Sequence, residues 1–265
     1  MKPITLITNT THEFPEEDQF LAKELSCATQ VTITHALDPS FHPNEQSRII
    51  IRNVWPTAGC RTELTQFVSE CALVKAKLYN PFDGMGDQQG KEYLAGLFNM
   101  TFPVIPTVTS FDALNRLPST ELFWIKPFYG EDSSGSRVLS KQEILRERLS
   151  GCIIQPYLQF IDEPSLYFID GIFAYAITVP HRINNHQVAH YEPSHSEILL
   201  AKRFVDWNAL SYGVQRIDFA RLEDGSLLLM EIEDFCPYLY LLDLPSTVRE
   251  TVVRKMIDSL DRNLG

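Results

Sequence analysis

Residues 215–234, QRIDFARLEDGSLLLMEIED, decide the fold that we expect for this chain. Two β-rich runs flank an Asp-Gly dipeptide at 224–225, which predicts an antiparallel hairpin with a two-residue turn. Side chains alternate between the two faces of such a ribbon. One face is then apolar, with these facing pairs: Phe219 with Met230, and Ile217 with Ile232.

The opposite face of this hairpin is charged. The same register places Asp218 opposite Glu231 and Arg216 opposite Glu233. Facing Cβ atoms lie about 4.5–5.5 Å apart, and like charges at that distance destabilise a sheet unless something neutralises them. Because Mg²⁺ binds one or two protein carboxylates and completes its shell with water and phosphate, the acids indicate a divalent-cation site. A solvated strand face with an Arg216 surface ion pair is the alternative that the hairpin alone leaves open.

The composition is typical of a compact globular protein. The chain has 265 residues, of which 44% are hydrophobic and 22% charged, enough for one large domain or for two or three lobes around a cleft. A formal charge of −11 and the lack of any Lys or Arg run argue against nucleic acid and anionic membranes as partners.

Targeting and redox signals also narrow the class of protein. No segment reaches the roughly 18–20 apolar residues of a membrane helix, and the opening MKPITLITNT lacks the features of a secretory signal. The five cysteines form no Cys-x-x-Cys pair. We therefore expect reduced thiols in a cytoplasmic protein, without zinc.

Three lobes are predicted along the chain. Residues 1–86 alternate short β-rich runs with helical periodicity, which is typical of an α/β lobe with a mostly parallel sheet. Residues 87–158 begin with a helix over 87–99 and continue with the strands ELFWIKPF and CIIQPYL on either side of a Gly/Ser loop and a polar helix. Residues 159–265 contain a hairpin at Asp170-Gly171, the helical segment SEILLAKRFVDWNAL, the opening hairpin and a final helix.

A lysine at the end of an apolar strand is the first candidate for phosphate binding. Lys126 ends the run FWIK, and a Gly/Ser-rich loop that includes Ser134 and Gly135 follows it. A lysine held there acts as a point charge on phosphate, while backbone amides of the loop close over the phosphate oxygens. An exposed lysine before a flexible loop is the alternative.

Further candidates for nucleotide binding lie on both sides of Lys126. Four consecutive residues close an apolar strand, and their extended backbone suits recognition of an adenine edge: Gln155, Pro156, Tyr157 and Leu158. Glu163 is within reach of a ribose hydroxyl, and Lys91 lies on the helix predicted over 87–99. Ordinary sheet-edge residues and a surface lysine are the alternatives.

The chain has no Walker loop, Gly-x-Gly-x-x-Gly or Gly-x-Ser-x-Gly, which argues against P-loop, Rossmann and serine-hydrolase chemistry.

The order of these motifs resembles the ATP-grasp superfamily, and within it the glutathione-synthetase-like group and its O-ureido-serine cyclo-ligase branch. The resemblance covers roughly residues 48–242. It rests on the Lys-Pro strand, the Gly/Ser loop, the Gln-Pro-Tyr-Leu segment and the Arg-x-Asp and Glu-x-Glu strands, together with IRNVW, LYNP, GKEYL and VIPT. It implies an α/β protein in which two α+β lobes hold ATP between their sheets, preceded by a short α/β N-terminal lobe.

The resemblance also implies a role for each motif residue. It makes Lys91 and Lys126 the ATP lysines, with Ser134 and Gly135 in the phosphate loop. The segment 155–158 becomes the adenine hinge, and Glu163 a ribose contact. The implied catalytic residues are Arg216 and Lys126, and the implied ligands of Mg²⁺, or of Mn²⁺ in its place, are Asp218, Glu231 and Glu233.

The activity implied by the resemblance is that of an ADP-forming ligase. A small amino-acid-like or peptide carboxylate would be phosphorylated by ATP, and an amine or related nucleophile would capture the acyl phosphate. Two alternatives stay open: a kinase that phosphorylates a small-molecule hydroxyl on the same scaffold, and a non-catalytic ATP-binding module. The sequence leaves homo-oligomerisation undecided.

Overall fold

The computed structural model of the chain contains three β-sheets. It describes residues 1–8, 14–35, 38, 40–53, 57–129, 135–147, 149–180 and 188–265, with backbone only for 57–61. The sheets follow one another along the chain, with four, three and five strands. No helix in these ranges combines the length and apolarity needed to cross a membrane.

The first sheet is wholly parallel, which confirms the predicted α/β pattern. Its strands occur in the order β2-β1-β3-β4, and two helices connect them. The bounds are β1 Ile4–Thr8, α1 Glu16–Leu25, β2 Val31–His35, β3 Arg48–Ile51, α2 Thr57–Val74 and β4 Lys77–Tyr79. The run of three isoleucines in β3 is buried on both faces, as expected of a central parallel strand.

The second sheet is antiparallel, in the order β6-β5-β7. Its elements are β5 Leu122–Pro127, β6 Arg137–Ser140, α4 Lys141–Glu147 and β7 Cys152–Pro156. They enclose a separate hydrophobic cluster that includes Phe123, Ile144 and Ile154. The strand and helix predictions for this segment are confirmed.

The continuous helix predicted over 87–99 is wrong. The chain forms a 3₁₀ turn at Asp87–Gln89, and α3 begins only at Tyr93 and ends at Asn99. Gly90 separates the two because its φ of +91° is incompatible with an α-helix. Lys91 consequently lies in the turn that precedes α3 and not on a helix.

The third sheet is antiparallel, in the order β10-β9-β8-β11-β12. Its elements are β8 Asp162–Ile169, β9 Ile172–Pro180, β10 Ala189–Tyr191, α5 His195–Asn208, β11 Val214–Arg221, β12 Leu227–Glu233 and α6 Ser246–Leu264. The two-residue turn at Asp170-Gly171 is confirmed, with both residues at positive φ. A capping box between Ser194 and Glu197 begins α5.

The β11–β12 hairpin differs from its prediction in two places that compensate for each other. Leu222 and Ser226 close the turn with a backbone hydrogen bond of 2.9 Å, so the loop has three residues and not two. The predicted pairing of Phe219 with Met230 is also wrong: Phe219 faces Leu229, and a bulge leaves Met230 as the extra residue. Beyond this bulge the predicted register is restored.

One short segment connects the second and third sheets. Ile105 donates to the carbonyl of Leu229 in β12, and Val108 exchanges two backbone hydrogen bonds with Ile154 in β7. The first and third sheets, in turn, share one hydrophobic cluster built from β1, α1, β8, β9 and α6. Because this core is continuous, the domain boundaries at residues 86 and 158 stay a prediction.

Candidate functional site

A cavity of about 380 Å³ lies between the second and third sheets and extends to the first lobe. Eleven residues singled out from the sequence line it: Lys91, Lys126, Gln155, Pro156, Tyr157, Leu158, Glu163, Arg216, Asp218, Glu231 and Glu233. Ser134 lies outside the described residues. Gly135 does not line the cavity, although the neighbouring Ser136 does.

Arg216 holds two of the predicted metal-ligand acids. The pairs Arg216–Glu233 and Asp218–Glu231 face each other, as predicted from the sequence. The guanidinium of Arg216 donates to Asp218 over 2.8–3.1 Å and to Oε1 of Glu233 over 2.5 Å. Burial, together with the Asp218 and Glu231 charges, raises the pKa of Glu233 to about 8 although Arg216 opposes the shift.

Lys91 forms a second cation–carboxylate group in the lining of the cavity. Its Nζ donates to Oδ2 of Asp87 over 3.0 Å and also to Oε1 of Glu231. Burial and the adjacent Glu231 raise the pKa of Asp87. Although burial acts in the opposite direction, Lys91 and the hydrogen bond with Asp87 hold the pKa of Glu231 below its usual range.

Asp87 is a site residue that the sequence reasoning missed. Its Oδ1 is buried and has no hydrogen-bond partner among the described residues, and the residue lines the cavity. The available signal was an acid four residues before Lys91, a spacing that predicts an ion pair on a helical turn.

A buried acid behind the cavity fixes the turn that carries Asp87 and Lys91. Asp234 is fully buried and accepts backbone hydrogen bonds from Gly86 over 3.0 Å and Gln88 over 2.9 Å. Asn208 at the end of α5 accepts from the amides of Met85 and Gly86. The position of the turn therefore depends on two residues more than a hundred positions away in the sequence.

Lys126 projects from β5 toward the same acids. Burial lowers the pKa of its ammonium group, and the positive charge of Lys91 acts in the same direction, while Glu231 and Asp87 partly oppose the shift. Within the described residues, which exclude the loop 130–134, Lys126 has no carboxylate at ion-pair distance, and a desolvated ammonium group without such a partner is costly. An anion placed between Lys126 and Lys91 would relieve this cost.

The end of the cavity beside β7 suits a flat apolar group. Tyr157 stacks on Trp124, with ring centroids 5.9 Å apart and an interplanar angle of 24°. The backbone of the 155–158 segment is not wholly open, because the Tyr157 amide donates to the carbonyl of Leu122 over 3.0 Å. The Gln155 side chain donates to Thr107 over 2.9 Å and is thereby fixed. Recognition of a base edge would rest on the other backbone groups of this segment.

Gly90 leaves room for an aromatic ring in the wall of the cavity. A Cβ at Gly90 would lie 2.4 Å from Cε1 of Tyr129, whose ring lines the cavity. Gly135 is at φ +72° with Pro127 close by, so the end of the Gly/Ser loop packs on the residue after Lys126.

The acids of the site have the chemistry of a Mg²⁺ site but are paired with cations. Within the described ranges, no group of three or more His, Cys, Asp or Glu is arranged to hold a metal ion. Arg216 lies between Asp218 and Glu233, and Lys91 binds Glu231. The oxygen-only donor set and the unused Asp87 Oδ1 fit Mg²⁺ once these cations turn toward an incoming anion.

Comparison with solved structures identifies the fold. The chain is similar to the D-cycloserine synthetase DcsG, with a TM-score of 0.76 and 20% identity over 97% of this chain and 99% of that one. It is similar to the D-alanine–D-alanine ligase of Bacillus anthracis in complex with ATP, with a TM-score of 0.64 and 14% identity over 99% and 98% of the two chains.

A third similar structure is that of another ligase. The ATP-grasp ligase PsnB, in complex with minimal precursor, Mg and ADP, matches with a TM-score of 0.62 and 12% identity over 98% of this chain and 97% of that one. No protein-family profile and no curated protein sequence matches the chain. The chain therefore has the ATP-grasp fold, as the sequence motifs predicted.

Proposed function

We propose that the protein is an ADP-forming ligase that activates a small carboxylate substrate with ATP and transfers its acyl group to an amine or a related nucleophile. One observation carries this proposal. Three cations and four carboxylates from separate parts of the chain line one cavity of an ATP-grasp fold: Lys91, Lys126, Arg216, Asp87, Asp218, Glu231 and Glu233. Such a set suits phosphoryl transfer, which needs positioning and charge neutralisation more than covalent help.

The nucleotide would lie along the second sheet. Its adenine would pack beside Trp124 and Tyr157 and bond to the backbone of residues 155–158, with the ribose near Glu163. The triphosphate would then reach Lys126 and Lys91, in agreement with the roles inferred from the sequence. Ser134 and Gly135 are proposed as part of the loop over the phosphates.

Asp218, Glu231 and Glu233 would hold Mg²⁺, or Mn²⁺ in its place, with Asp87 at the edge of this group. When bound, the metal supplies positive charge that neutralises the phosphate oxygens. Of the chain's own residues, Lys126 would bind the transferred phosphoryl group from the nucleotide side. Arg216, released from Glu233, would bind it from the side of the carboxylate substrate.

The proposed reaction has two steps. A substrate carboxylate oxygen attacks the γ-phosphorus, the bond to the β–γ bridging oxygen breaks, and ADP leaves with the electron pair. The nucleophile then attacks the carbonyl carbon of the acyl phosphate and loses a proton, and inorganic phosphate leaves. The cations hold the phosphoryl oxygens throughout, and the lobes exclude water that would hydrolyse the acyl phosphate.

Hydroxylamine trapping tests this function. The protein is incubated with Mg²⁺, ATP, hydroxylamine and a panel of amino acids and short peptides, and ADP and hydroxamate are both measured. Equal amounts of the two are expected, because hydroxylamine captures an acyl phosphate. Glu231→Ala should lower both by a factor on the order of 10²–10³. ADP formation without hydroxamate would indicate a kinase, and nucleotide binding without any ADP would indicate a non-catalytic module; either result contradicts the proposal.

We also propose that the protein acts in a reducing compartment such as the cytoplasm. The support for this is the sequence pattern: five widely spaced cysteines, an odd number, without a Cys-x-x-Cys pair.

A further inference from the structure

The cavity has a second end, beyond the acids, that the nucleotide would not occupy. Four residues line it: Leu64, Phe82, Phe235 and Cys236. Phe235 lies two residues after Glu233, so their Cα atoms are at most about 7 Å apart. This end therefore adjoins the place where the carboxylate substrate would meet the γ-phosphate.

Aromatic side chains form the wall of this end. Phe82 and Phe235 pack edge to face, with ring centroids 5.0 Å apart and an interplanar angle of 66°. Both rest on the hydrophobic cluster of the first lobe, which contains Ile7, Ile51 and Leu78. The rings are half-buried, so each keeps part of its surface free toward the cavity.

The cations near this end of the cavity already form ion pairs with acids of the protein. The four residues themselves are uncharged, and the lining cation Arg216, on the strand that pairs with β12, is held by Asp218 and Glu233. Arg52 is the other cation beside the 235–241 segment, but it is 3% exposed and donates to Glu17 over 2.7 Å, to Asp18 over 3.2 Å and to the carbonyl of Pro237. Among the side chains that the structure describes, which exclude those of 57–61, both cations on this side of the cavity already have carboxylate partners, so a second negative charge on the substrate would be desolvated here without neutralisation.

The same Arg52 network makes the wall rigid. Glu17 is fully buried and accepts hydrogen bonds from the amides of Leu239, over 3.0 Å, and Leu241, over 2.8 Å. The hydroxyls of Tyr167 and Tyr175 donate to the carbonyls of residues 238 and 239 over 2.8 and 2.7 Å. The backbone after Phe235 is held at five points, so the apolar wall is preformed.

From this geometry we infer that the carboxylic acid substrate carries an uncharged apolar side chain, aromatic or branched aliphatic, that packs against Leu64, Phe82 and Phe235. The inference rests on the proposed function, because it assigns one end of the cavity to the carboxylate substrate. It goes beyond that function because it selects apolar amino acids, or peptides that end in one, and rejects acidic and basic ones.

Binding and turnover are measured separately to test it. The panel contains phenylalanine, leucine, alanine, glutamate and lysine, each as both enantiomers. Binding to the protein loaded with Mg²⁺ and a non-hydrolysable ATP analogue is followed by calorimetry, and turnover by the hydroxamate assay. Phenylalanine or leucine of one enantiomer should bind at least tenfold more tightly than glutamate or lysine, and show the same order in kcat/KM.

Two matched variants test whether the residues at this end of the cavity cause the substrate preference. Phe235→Leu should raise the KM for the preferred acid about tenfold and leave the KM for ATP unchanged. Phe67→Leu is the control, because Phe67 belongs to the same hydrophobic cluster and pairs with Phe41 at 6.2 Å without lining the cavity. It should change neither KM.

The outcomes separate this inference from the proposed function. Tighter binding of apolar acids without any hydroxamate would support the apolar end and contradict ligase activity. Hydroxamate formed preferentially from glutamate or lysine would support the ligase and overturn the inference. Equal KM changes in Phe235→Leu and Phe67→Leu would also overturn it, because the effect would then come from packing of the lobe.

Discussion

Replacement of Arg216 by alanine tests the charge arrangement of the site most directly. Arg216 is 13% exposed and donates four hydrogen bonds of 2.5–3.1 Å to Asp218 and Glu233, which are 13% and 27% exposed. Loss of one partner of a buried ion pair costs about 3–5 kcal/mol. Because these acids line an open cavity and regain water, we expect about 2 kcal/mol less unfolding free energy, or roughly 4–8 °C in Tm for a chain of this size.

The Arg216→Ala variant should also respond differently to Mg²⁺. Asp218 and Glu233 lose their cation in this variant, so Mg²⁺ without nucleotide should raise its Tm more than that of the wild type. Turnover should fall by about 10²–10³ because the charge that we propose to stabilise the transferred phosphoryl group is lost. Thermal melts with Mg²⁺ and with a chelator, together with ADP release, measure both effects.

Arg221→Ala is the matched control for this experiment. Arg221 lies on the same strand and binds Asp162 over 2.9 Å and Glu197 over 2.7 Å, but it does not line the cavity. It should lose stability without a change in Mg²⁺ response or turnover. The reasoning would be refuted if Arg216→Ala kept wild-type turnover, or if both variants gained the same stability from Mg²⁺.

Two further predictions concern stability. Gly90→Ala places a Cβ against the Tyr129 ring at positive φ and should lower the unfolding free energy by about 1–3 kcal/mol; an unchanged urea midpoint would exclude this steric role. Hydrogen bonds from Arg221 and two neighbours outweigh burial and lower the pKa of Glu197 from 4.5 to about 2. Because the folded pKa lies below the unfolded one, this stabilisation is present above about pH 4.5 and is lost as the pH falls toward 2. With allowance for solvent screening, Glu197→Gln should lower the free energy of unfolding by about 1 kcal/mol at pH 7 and leave it unchanged near pH 2, as measured by urea titration. Glu192→Gln, at an exposed acid, is the control and should leave it unchanged at either pH.

The hairpin shows how far local sequence patterns can predict the site. The alternation of side chains correctly pairs Arg216 with Glu233 and Asp218 with Glu231. The turn and the pairing nearest to it were predicted wrongly, because Gly225 at φ +82° permits a three-residue loop and Met230 forms a bulge. Neither feature has a reliable local signal: an Asp-Gly pair occurs in both loop lengths, and a bulge is selected by packing of the strand against other elements.

The residues that the sequence reasoning missed act across long separations. Asp234 and Asn208 fix the turn at 84–88 through its backbone amides, and only the folded chain brings them together. Their burial could not be predicted, since polar residues beyond a strand or helix end are usually exposed. The position of Asp87 depends on this turn, so its place in the site could not be predicted from the sequence for the same reason. Short-range spacing predicted the residues on strands, while those on irregular backbone required tertiary contacts.

The charge balance of the cavity explains why nucleotide and metal would have to enter together. The described residues that line it include five carboxylates against three cations, and the cations are largely occupied by the acids. A triphosphate alone would compete for Lys91 and Arg216 and leave the partly buried acids Glu231, Glu233 and Asp218 without a cation. With Mg²⁺, an acid that loses its cation to the phosphates would gain the metal ion in its place. In the proposed function, Arg216 and Lys91 would therefore hold the acids in place until a metal–nucleotide complex replaced these cations.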